Sequence, residues 1–259
     1  MESAQQSGNC FPMAASKRAD LLLVERGLAE TRTRAQALIL SGRVYSGESR
    51  IEKSGTRLDP DTPLSIRETL PYVGKGGVKL QAALEHFDID PAGTRCLDVG
   101  ASTGGFTDCL LQAGAAHVFA VDVGYGQLDW ELRNDSRVTV MERTNFRHIA
   151  ADALPHDLDL AVVDVSFISL KLIMPRLGTF LRGGARAVVL IKPQFEAGRE
   201  KVGKGGVVRD PAVHEEVVQN ILEAAAREGF TPKGSIASPV KGARGNIEFL
   251  AHLVWEGDE

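Results

Sequence analysis

Residues 16–66 carry hydrophobic positions spaced as in two short helices followed by short strands. The apolar positions between Arg18 and Arg26 predict one helix, and those between Arg32 and Ser41 predict a second; a glycine follows each of them. Val44-Tyr45 and Leu64-Ser65-Ile66 predict short strands. About 50 residues with this order form a small α+β unit, and Pro71 marks its expected end.

From Lys79 onward, apolar strands alternate with amphipathic helices. Strands are predicted at Arg95–Val99, His117–Val123, Val138–Glu142, Leu158–Val165, Ala185–Ile191, Gly234–Ser238 and Glu248–Trp255. Helices are predicted at Lys79–Phe87, Gly105–Ala113, Leu128–Arg133, Leu170–Phe180 and Pro211–Glu228. This alternation predicts a parallel sheet covered on both faces. Since no clear helix separates the last two strands, we expect them to close the sheet as an antiparallel hairpin.

These patterns divide the chain into four parts. Residues 1–15 are polar and aperiodic and are predicted to be a disordered tail, in which Met13 is an alternative translation start to Met1. Residues 16–65 form the small unit, residues 66–74 a linker, and residues 75–259 the large α/β domain.

Composition and charge narrow the class of protein. The chain is 43% hydrophobic and 25% charged, as in an ordinary globular protein, and no apolar run approaches the ~18 residues that span a bilayer. Three cysteines and six histidines lack metal-ligand spacing, so we expect free thiols, no metal and a cytoplasmic location. The net charge is −4, yet residues 16–79 hold twelve Lys/Arg and eight Asp/Glu. A basic unit before an acidic domain is typical of a binding module joined to another domain. The alternative is that the four surplus positive charges lie on a solvated surface without a binding role.

A glycine-rich turn follows the first predicted strand of the large domain. The spacing is Asp98-x-Gly100-x-x-x-Gly104, which differs from the Gly-x-Gly-x-x-Gly of dinucleotide folds. A carboxylate before the turn suits an ammonium-bearing ligand, and Asp122 after the next strand suits ribose hydroxyls. The pattern predicts S-adenosylmethionine as cofactor. The predicted cofactor-binding residues are Asp98, Gly100, Ser102, Thr103, Gly104, Gly105, Phe106, Asp122 and Asn145.

Two lysines and two acids occupy strand or helix ends at the expected ligand-binding edge of the sheet. They are Lys79, Asp164, Lys192 and Glu248. A lysine that ends an apolar strand is costly to bury without a partner, so packing does not explain Lys192. An amine at this place could take the proton of a ribose hydroxyl as the hydroxyl attacks a methyl sulfonium.

The same four residues match the Lys-Asp-Lys-Glu tetrad of FtsJ-like ribose 2′-O-methyltransferases, which the large domain resembles. The small unit resembles the RNA-binding module of ribosomal protein S-four, through Leu22-Leu-Val-Glu-Arg-Gly-Leu and Thr31-Arg-Thr-Arg-Ala-Gln-Ala-Leu-Ile-Leu-Ser-Gly-Arg-Val44. Together with Lys75-Gly-Gly-Val-Lys79-Leu and Val163-Asp-Val-Ser-Phe-Ile-Ser169, this is the arrangement of the TlyA family. Lys75 stands where relatives often have arginine.

The resemblance implies a Rossmann-like class I S-adenosylmethionine-dependent methyltransferase with a seven-stranded, mostly parallel sheet, preceded by a small α+β RNA-binding domain. It implies 2′-O-methylation of cytidine in the rRNA of one or both ribosomal subunits, with no membrane partner. We predict Lys192 as the base, Asp164 as the residue that holds it, and Lys79 and Glu248 as residues that orient the ribose. The predicted RNA-binding residues are Arg18, Arg32, Arg34, Arg43 and Arg50.

Two alternatives remain open at this point. A base N-methyltransferase would carry Asp/Asn-Pro-Pro-aromatic after the fourth strand, whereas this chain has Asp164-Val-Ser-Phe167. A non-catalytic RNA-binding assembly factor would keep only a vestigial cofactor pocket. The glycine-rich, basic stretch 198–206 is either a lid that closes on RNA or a solvated loop.

Overall fold

A computed structural model describes residues 16–40, 42–66 and 71–257 and forms two compact units, divided between residues 69 and 70. The division falls inside the predicted linker, whereas the predicted tail and Met13 lie outside the described residues. In the described part of the chain, no helix has the length and apolar character needed to cross a bilayer.

The first unit packs two helices against short strands. Its elements are β1 (Lys17–Arg18), α1 (Ala19–Glu25), α2 (Arg32–Leu40), β2 (Val44–Ser46), β3 (Ser49–Arg50), β4 (Arg57–Leu58) and β5 (Ser65–Ile66). β1 pairs antiparallel with β4, and β2 lies between β3 and β5. Leu23, Ile39 and Val44 are almost completely buried and join the helices to β2. The two predicted helices are present, although α1 starts at Ala19 because Arg18 belongs to β1.

The second unit contains a seven-stranded sheet with helices on both faces. Its strands are β6 (Arg95–Val99), β7 (His117–Val121), β8 (Val138–Met141), β9 (Leu158–Val163), β10 (Leu181–Ile191), β11 (Phe230–Ala237) and β12 (Phe249–Trp255). Their order in the sheet is β11-β12-β10-β9-β6-β7-β8; β12 runs antiparallel to both of its neighbours, β10 and β11, and the other neighbouring pairs are parallel. The predicted mostly parallel sheet with an antiparallel closing hairpin is therefore confirmed.

One helix of this unit precedes its first strand, and the others lie between successive strands. They are α3 (Lys75–His86), α4 (Gly105–Gln112), α5 (Trp130–Arg133), α6 (Met174–Leu177), α7 (Pro193–Glu196) and α8 (Pro211–Arg227). Short 3-10 turns occur at Phe146–His148, Ala151–Ala153, Leu170–Leu172, Gly178–Phe180, Arg199–Lys201 and Ala243–Gly245.

Burial on both faces explains why the central strands are mostly apolar, with Asp98 of β6 as a buried exception. On β9, Ala161 and Val163 join the core on one face of the sheet, while Leu160 and Val162 join the core on the other face. Successive side chains of a strand point to opposite faces, so a strand covered on both sides is apolar along most of its length. Most polar residues of these strands therefore lie at or near the strand ends.

Some predicted element bounds were wrong. The single helix expected at Leu170–Phe180 is divided into a 3-10 turn, α6 and a second 3-10 turn. Pro175 lies in the first turn of α6, and proline in a helix interior would remove a hydrogen bond and clash with an earlier carbonyl. The strands β7 and β9 end at Val121 and Val163, two residues earlier than predicted, and β11 begins at Phe230 rather than Gly234.

We predict that the first unit loses stability in acid through Asp20. The guanidinium of Arg18, with Gln36 and Arg32, holds the pKa of this buried carboxyl below its usual range. The pKa of Asp20 is lower in the folded state than in the unfolded state, where it is ~3.9. The ionised carboxylate therefore stabilises the fold fully above this unfolded-state pKa, and the stabilisation is lost as the pH falls below it. Asp20→Asn should therefore cost about 1–3 kcal/mol at pH 7 and little in strong acid. Hydrogen exchange of the α1 and α2 amides measures this loss, and equal losses at both pH values would contradict the assignment.

Candidate active site

Three chemically active residues meet at one edge of the large sheet because of strand order. Asp164 follows β9 and Lys192 follows the adjacent strand β10. The pairing of Ile191 with Phe249 places Glu248, just before β12, opposite Lys192. Since β12 runs antiparallel, its start lies at the same edge as the ends of β9 and β10. The edge predicted to bind ligand is therefore the one that carries these residues.

Lys192 is held by two groups on the neighbouring segment. Its Nζ lies 2.5 Å from Asp164 Oδ1 and donates a hydrogen bond of 2.7 Å to Ser166 Oγ. The contact with Asp164 is an ion pair that lacks hydrogen-bond alignment, since Asp164 Oδ1 makes no hydrogen bond. Lys192 is only 8% exposed, so these partners compensate for the loss of water around its charge.

Lys79 and Glu248 form a second buried pair. Lys79 lies in α3, and its Nζ donates a 2.6 Å hydrogen bond to Glu248 Oε2. Their side chains are 10% and 3% exposed, respectively. The four residues of the predicted tetrad are thus arranged as two lysine–carboxylate pairs.

Two adjacent cavities open at this edge. The larger, of about 470 Å³, is within the size range of small-ligand pockets and includes Asp122, Asn145 and Ile168 in its wall. The smaller, of about 170 Å³, is lined by Lys192 and by the start of α3. Gly100, Ser102, Asp164 and Ser166 line both cavities. A ligand in the larger cavity therefore adjoins the space next to Lys192.

Residues of the glycine turn, Gly100 and Ser102, line both cavities. Gly100 has φ +88°, and a Cβ there would lie 2.5 Å from the Asp164 carbonyl oxygen. Asp122 ties this turn to the segment that follows β7. One of its carboxylate oxygens accepts a hydrogen bond from the Ser102 N–H in the turn (2.8 Å), and the other accepts one from the Gly124 N–H (2.6 Å). Asp122 also lines the larger cavity, and its role in binding ribose hydroxyls stays a prediction.

Asp98 does not contact either cavity, contrary to the expectation that it binds the ligand directly. It is completely buried and accepts a 2.7 Å hydrogen bond from the Thr107 hydroxyl of α4. Burial raises the pKa of Asp98 to about 7, and its Oδ1 has no partner among the described residues. The sequence pattern placed Asp98 at the strand end but could not show that its side chain turns into the interior.

The other predicted cofactor residues divide between the cavities. Thr103, Gly105 and Phe106 line the smaller one, and Asn145 lines the larger one. Gly104 lines neither: a Cβ at this position would meet Leu132 and Leu128 beneath the turn. The absence of a side chain here permits packing against α5, and contact of Gly104 with the cofactor stays a prediction.

Several residues of the site had no role assigned from the sequence. Ser166 binds Lys192, Phe167 is 90% exposed beside the larger cavity with φ +64°, and Glu196 binds the segment that contains both. The motif Val163-Asp-Val-Ser-Phe-Ile-Ser169 was a visible signal, but only its aspartate was assigned a function.

The five predicted RNA-binding arginines differ in their surroundings. Arg18 donates two 2.9 Å hydrogen bonds to Asp20, and Arg32 donates one of 3.0 Å. Arg50 lies 3.6 Å from Glu52, whereas Arg34 is exposed at the start of α2 and Arg43 is partly buried. Arg18 and Arg32 thus have a structural partner as well as exposed surface.

Hydrogen bonds attach the C-terminal end of the basic stretch 198–206 to the rest of the domain. Asn246 donates to the Gly206 carbonyl and accepts from the Val208 N–H, and Arg244 donates to the Gly205 carbonyl. Lys201 pairs with Glu216 at 2.6 Å. Closure of this loop on RNA stays a hypothesis.

Two family models match the chain. The model of FtsJ-like methyltransferases covers residues 72–255, and the S4 domain model covers residues 17–63.

Relatives match along nearly the whole chain. The 16S/23S rRNA (cytidine-2′-O)-methyltransferase TlyA of Mycobacterium tuberculosis is 46% identical over 95% of this chain and 92% of its own length. YqxC of Bacillus subtilis, described as a candidate rRNA methyltransferase, is 53% identical over 93% of this chain and 87% of its own length. A solved structure from Streptococcus thermophilus, described as a candidate hemolysin, is 45% identical, with a TM-score of 0.73 over 95% of this chain and 90% of that one.

We predict that Gly100→Ala weakens binding of S-adenosylhomocysteine at least tenfold. The added Cβ would press on the Asp164 carbonyl and force the turn out of its left-handed conformation. The matched control is Gly126→Ala, which has φ +69° but open space around a Cβ. Calorimetry should show near-normal binding for Gly126→Ala; equal affinities of Gly100→Ala and the parent would contradict the placement of the ligand.

Proposed function

The chain belongs to the TlyA family of rRNA methyltransferases, which joins an S4 domain to an FtsJ-like methyltransferase domain, and on that premise we propose that it methylates the ribose 2′-oxygen of a cytidine in rRNA. The methyl donor is S-adenosylmethionine, and the target lies in the small subunit, the large subunit or both. The observation that carries the proposal is the common wall of the two cavities at Asp164 and Ser166, next to Lys192.

The residues present suit this cofactor. The larger cavity has the volume of a small-ligand site, an apolar wall and the carboxylate of Asp122 at its rim. When bound, the cofactor supplies an electrophilic methyl group on a sulfonium sulfur. Gly100 permits close approach of the ligand to the backbone, and Asp122 and Asn145 offer polar contacts in the larger cavity.

Lys192 handles the proton of the attacking hydroxyl. Once the ammonium that pairs with Asp164 has lost a proton to solvent, the neutral amine takes the hydroxyl proton at Nζ, and Asp164, 2.5 Å away, stabilises the ammonium that forms again. Ser166 fixes the direction of the side chain through its hydrogen bond with Nζ. Lys79 and Glu248 orient the ribose as a second pair. Alignment supplies much of the rate, since effective molarities of ~10⁵ M follow from enforced geometry.

The S4 unit provides the affinity for rRNA. Arg34 is exposed, and Asp20 holds the guanidinium groups of Arg18 and Arg32 near the starts of α1 and α2. Fixed guanidinium groups suit phosphate, because less side-chain freedom is lost on contact. Cytoplasmic location remains part of this proposal.

We predict that Lys192→Ala lowers methyl transfer to rRNA at least 100-fold, because the base is removed while the cavities remain. Transfer of labelled methyl from S-adenosylmethionine to isolated ribosomal subunits measures the rate. Lys233→Ala is the control, since Lys233 is exposed on β11 away from the strand-end residues. Wild-type activity in Lys192→Ala would refute the mechanism.

Analysis of the digested product separates this function from the alternatives. We expect a 2′-O-methylated cytidine. A methyl on a base nitrogen would favour a base methyltransferase, and tight rRNA binding without any methylation would favour an assembly factor.

We also predict that Arg34→Ala reduces the salt dependence of rRNA binding. Each phosphate contact contributes ~0.9 to the slope of log K against log salt for duplex nucleic acid and ~0.7 for single strands. The slope should become shallower by about that amount in filter binding. Lys17→Ala is a matched control in the same unit, because Lys17 is paired with Glu25 at 2.7 Å; equal slopes for both variants would argue against Arg34 as a phosphate ligand.

A further inference from the structure

Glu196 joins the two chain segments that carry the reaction centre. It ends α7, four residues after Lys192, and its side chain reaches the segment that follows Asp164. Glu196 Oε2 accepts a 2.6 Å hydrogen bond from the Ser169 hydroxyl, and Oε1 accepts one of 2.8 Å from the Leu170 N–H. Both oxygens of one carboxylate are therefore engaged with consecutive residues of the opposite segment.

This contact is the last of three between the segments 164–170 and 192–196. Lys192 binds Asp164 and Ser166 at one end. In the middle, the rings of Phe167 and Phe195 lie 5.0 Å apart. Glu196 makes the third contact, at the other end of the segment. Ser166, which orients the Lys192 amine, therefore lies on a segment that is held at both ends.

The segment needs this attachment because its backbone is irregular. No strand or helix spans residues 164–169, and Phe167 has φ +64°, a conformation that a non-glycine residue adopts at a cost. The ring of Phe167 is exposed and does not hold the segment by burial. The backbone of the segment is tied to β6 by the Asp164 N–H, which donates to the Val99 carbonyl, and Val165 and Ile168 pack against the core. The described side-chain hydrogen bonds and ion pairs that join it to 192–196 are those of Lys192 and Glu196.

We propose that Glu196 is a positioning residue for the methyl transfer: it holds the segment 164–170 so that Ser166 orients the Lys192 amine. The inference rests on the proposed function. Glu196 does not act on the substrate, and its effect passes through Ser166.

The chemistry of the contact explains why a carboxylate is used. Two donors converge on the side chain, and an ionised carboxylate accepts from both through charge-assisted hydrogen bonds, whereas a neutral amide offers only one acceptor oxygen without charge. Burial raises the pKa of Glu196, while the hydrogen bonds from Ser169 and Leu170 favour the charged form. Glu196→Gln keeps the shape but replaces two charge-assisted hydrogen bonds with weaker neutral ones, since its NH₂ group can only donate to the Ser169 hydroxyl while its oxygen accepts from Leu170 N–H.

A double-mutant cycle tests the proposal. We expect Glu196→Gln and Ser166→Ala each to lower kcat for rRNA methylation about tenfold, with KM for rRNA changed less than twofold. The double variant should be no more than about twofold slower than the slower single variant, because both changes release the same amine. The control is Glu223→Gln, an exposed carboxylate on α8 that accepts a hydrogen bond from Gln219, and it should retain the parent kcat.

Other outcomes would overturn the inference. Additive losses, about 100-fold in the double variant, would show that Glu196 acts independently of Ser166, and a parent-like kcat for Glu196→Gln would show that it does not act at all. If Glu196→Gln does not fold, Ser169→Ala replaces it in the same cycle, since it removes one donor and leaves Glu196 in place. If the parent protein methylates rRNA and Glu196→Gln does so at the same rate, this inference alone is contradicted. If the parent protein does not methylate rRNA, the proposed function is contradicted as well.

Discussion

The cost of burying an ammonium group governs the arrangement of the site. Lys79 and Lys192 are each 8% exposed, and an unpaired buried charge costs several kcal/mol even after the protein relaxes. Each lysine therefore requires a carboxylate within contact distance. Asp164 can supply it to Lys192 because β9 lies beside β10 in the sheet, and Glu248 can supply it to Lys79 because α3 packs against β12. Tertiary packing, and not proximity in sequence, thus brings residues separated by up to 169 positions into contact.

The Lys192–Asp164 pair connects the proposed cofactor site with the proposed site of methyl transfer. Asp164 and Ser166 contact Lys192 and at the same time line the wall common to the two cavities. Gly100 approaches the Asp164 carbonyl so closely that it leaves no room for a side chain. A displacement of this segment would consequently disturb ligand binding and the orientation of the amine together, which makes its anchoring by Glu196 important.

Much of this could be predicted from the sequence because it depends on local patterns. Apolar strands alternating with helices defined the sheet, and the exceptional polar residues at strand ends marked its active edge. What could not be predicted depends on side-chain direction and on long-range contacts. Asp98 has the expected position, but it points into the core toward Thr107. Glu196 lies on a four-residue helix without periodicity, and its partners Ser169 and Leu170 are 27 and 26 residues away. Pro175 is a signal in the sequence against the single continuous helix predicted at Leu170–Phe180, because proline is unfavourable in a helix interior.

The central claim is that the Lys192 amine faces a ribose hydroxyl beside the cofactor. A crystal structure of the protein with S-adenosylhomocysteine and an rRNA fragment containing the target cytidine tests it most directly. We expect the 2′-oxygen within hydrogen-bond distance of Lys192 Nζ, with the cofactor sulfur in the larger cavity directed toward that oxygen. A sulfur atom that points away from Lys192, or a ribose that binds elsewhere, would contradict the account.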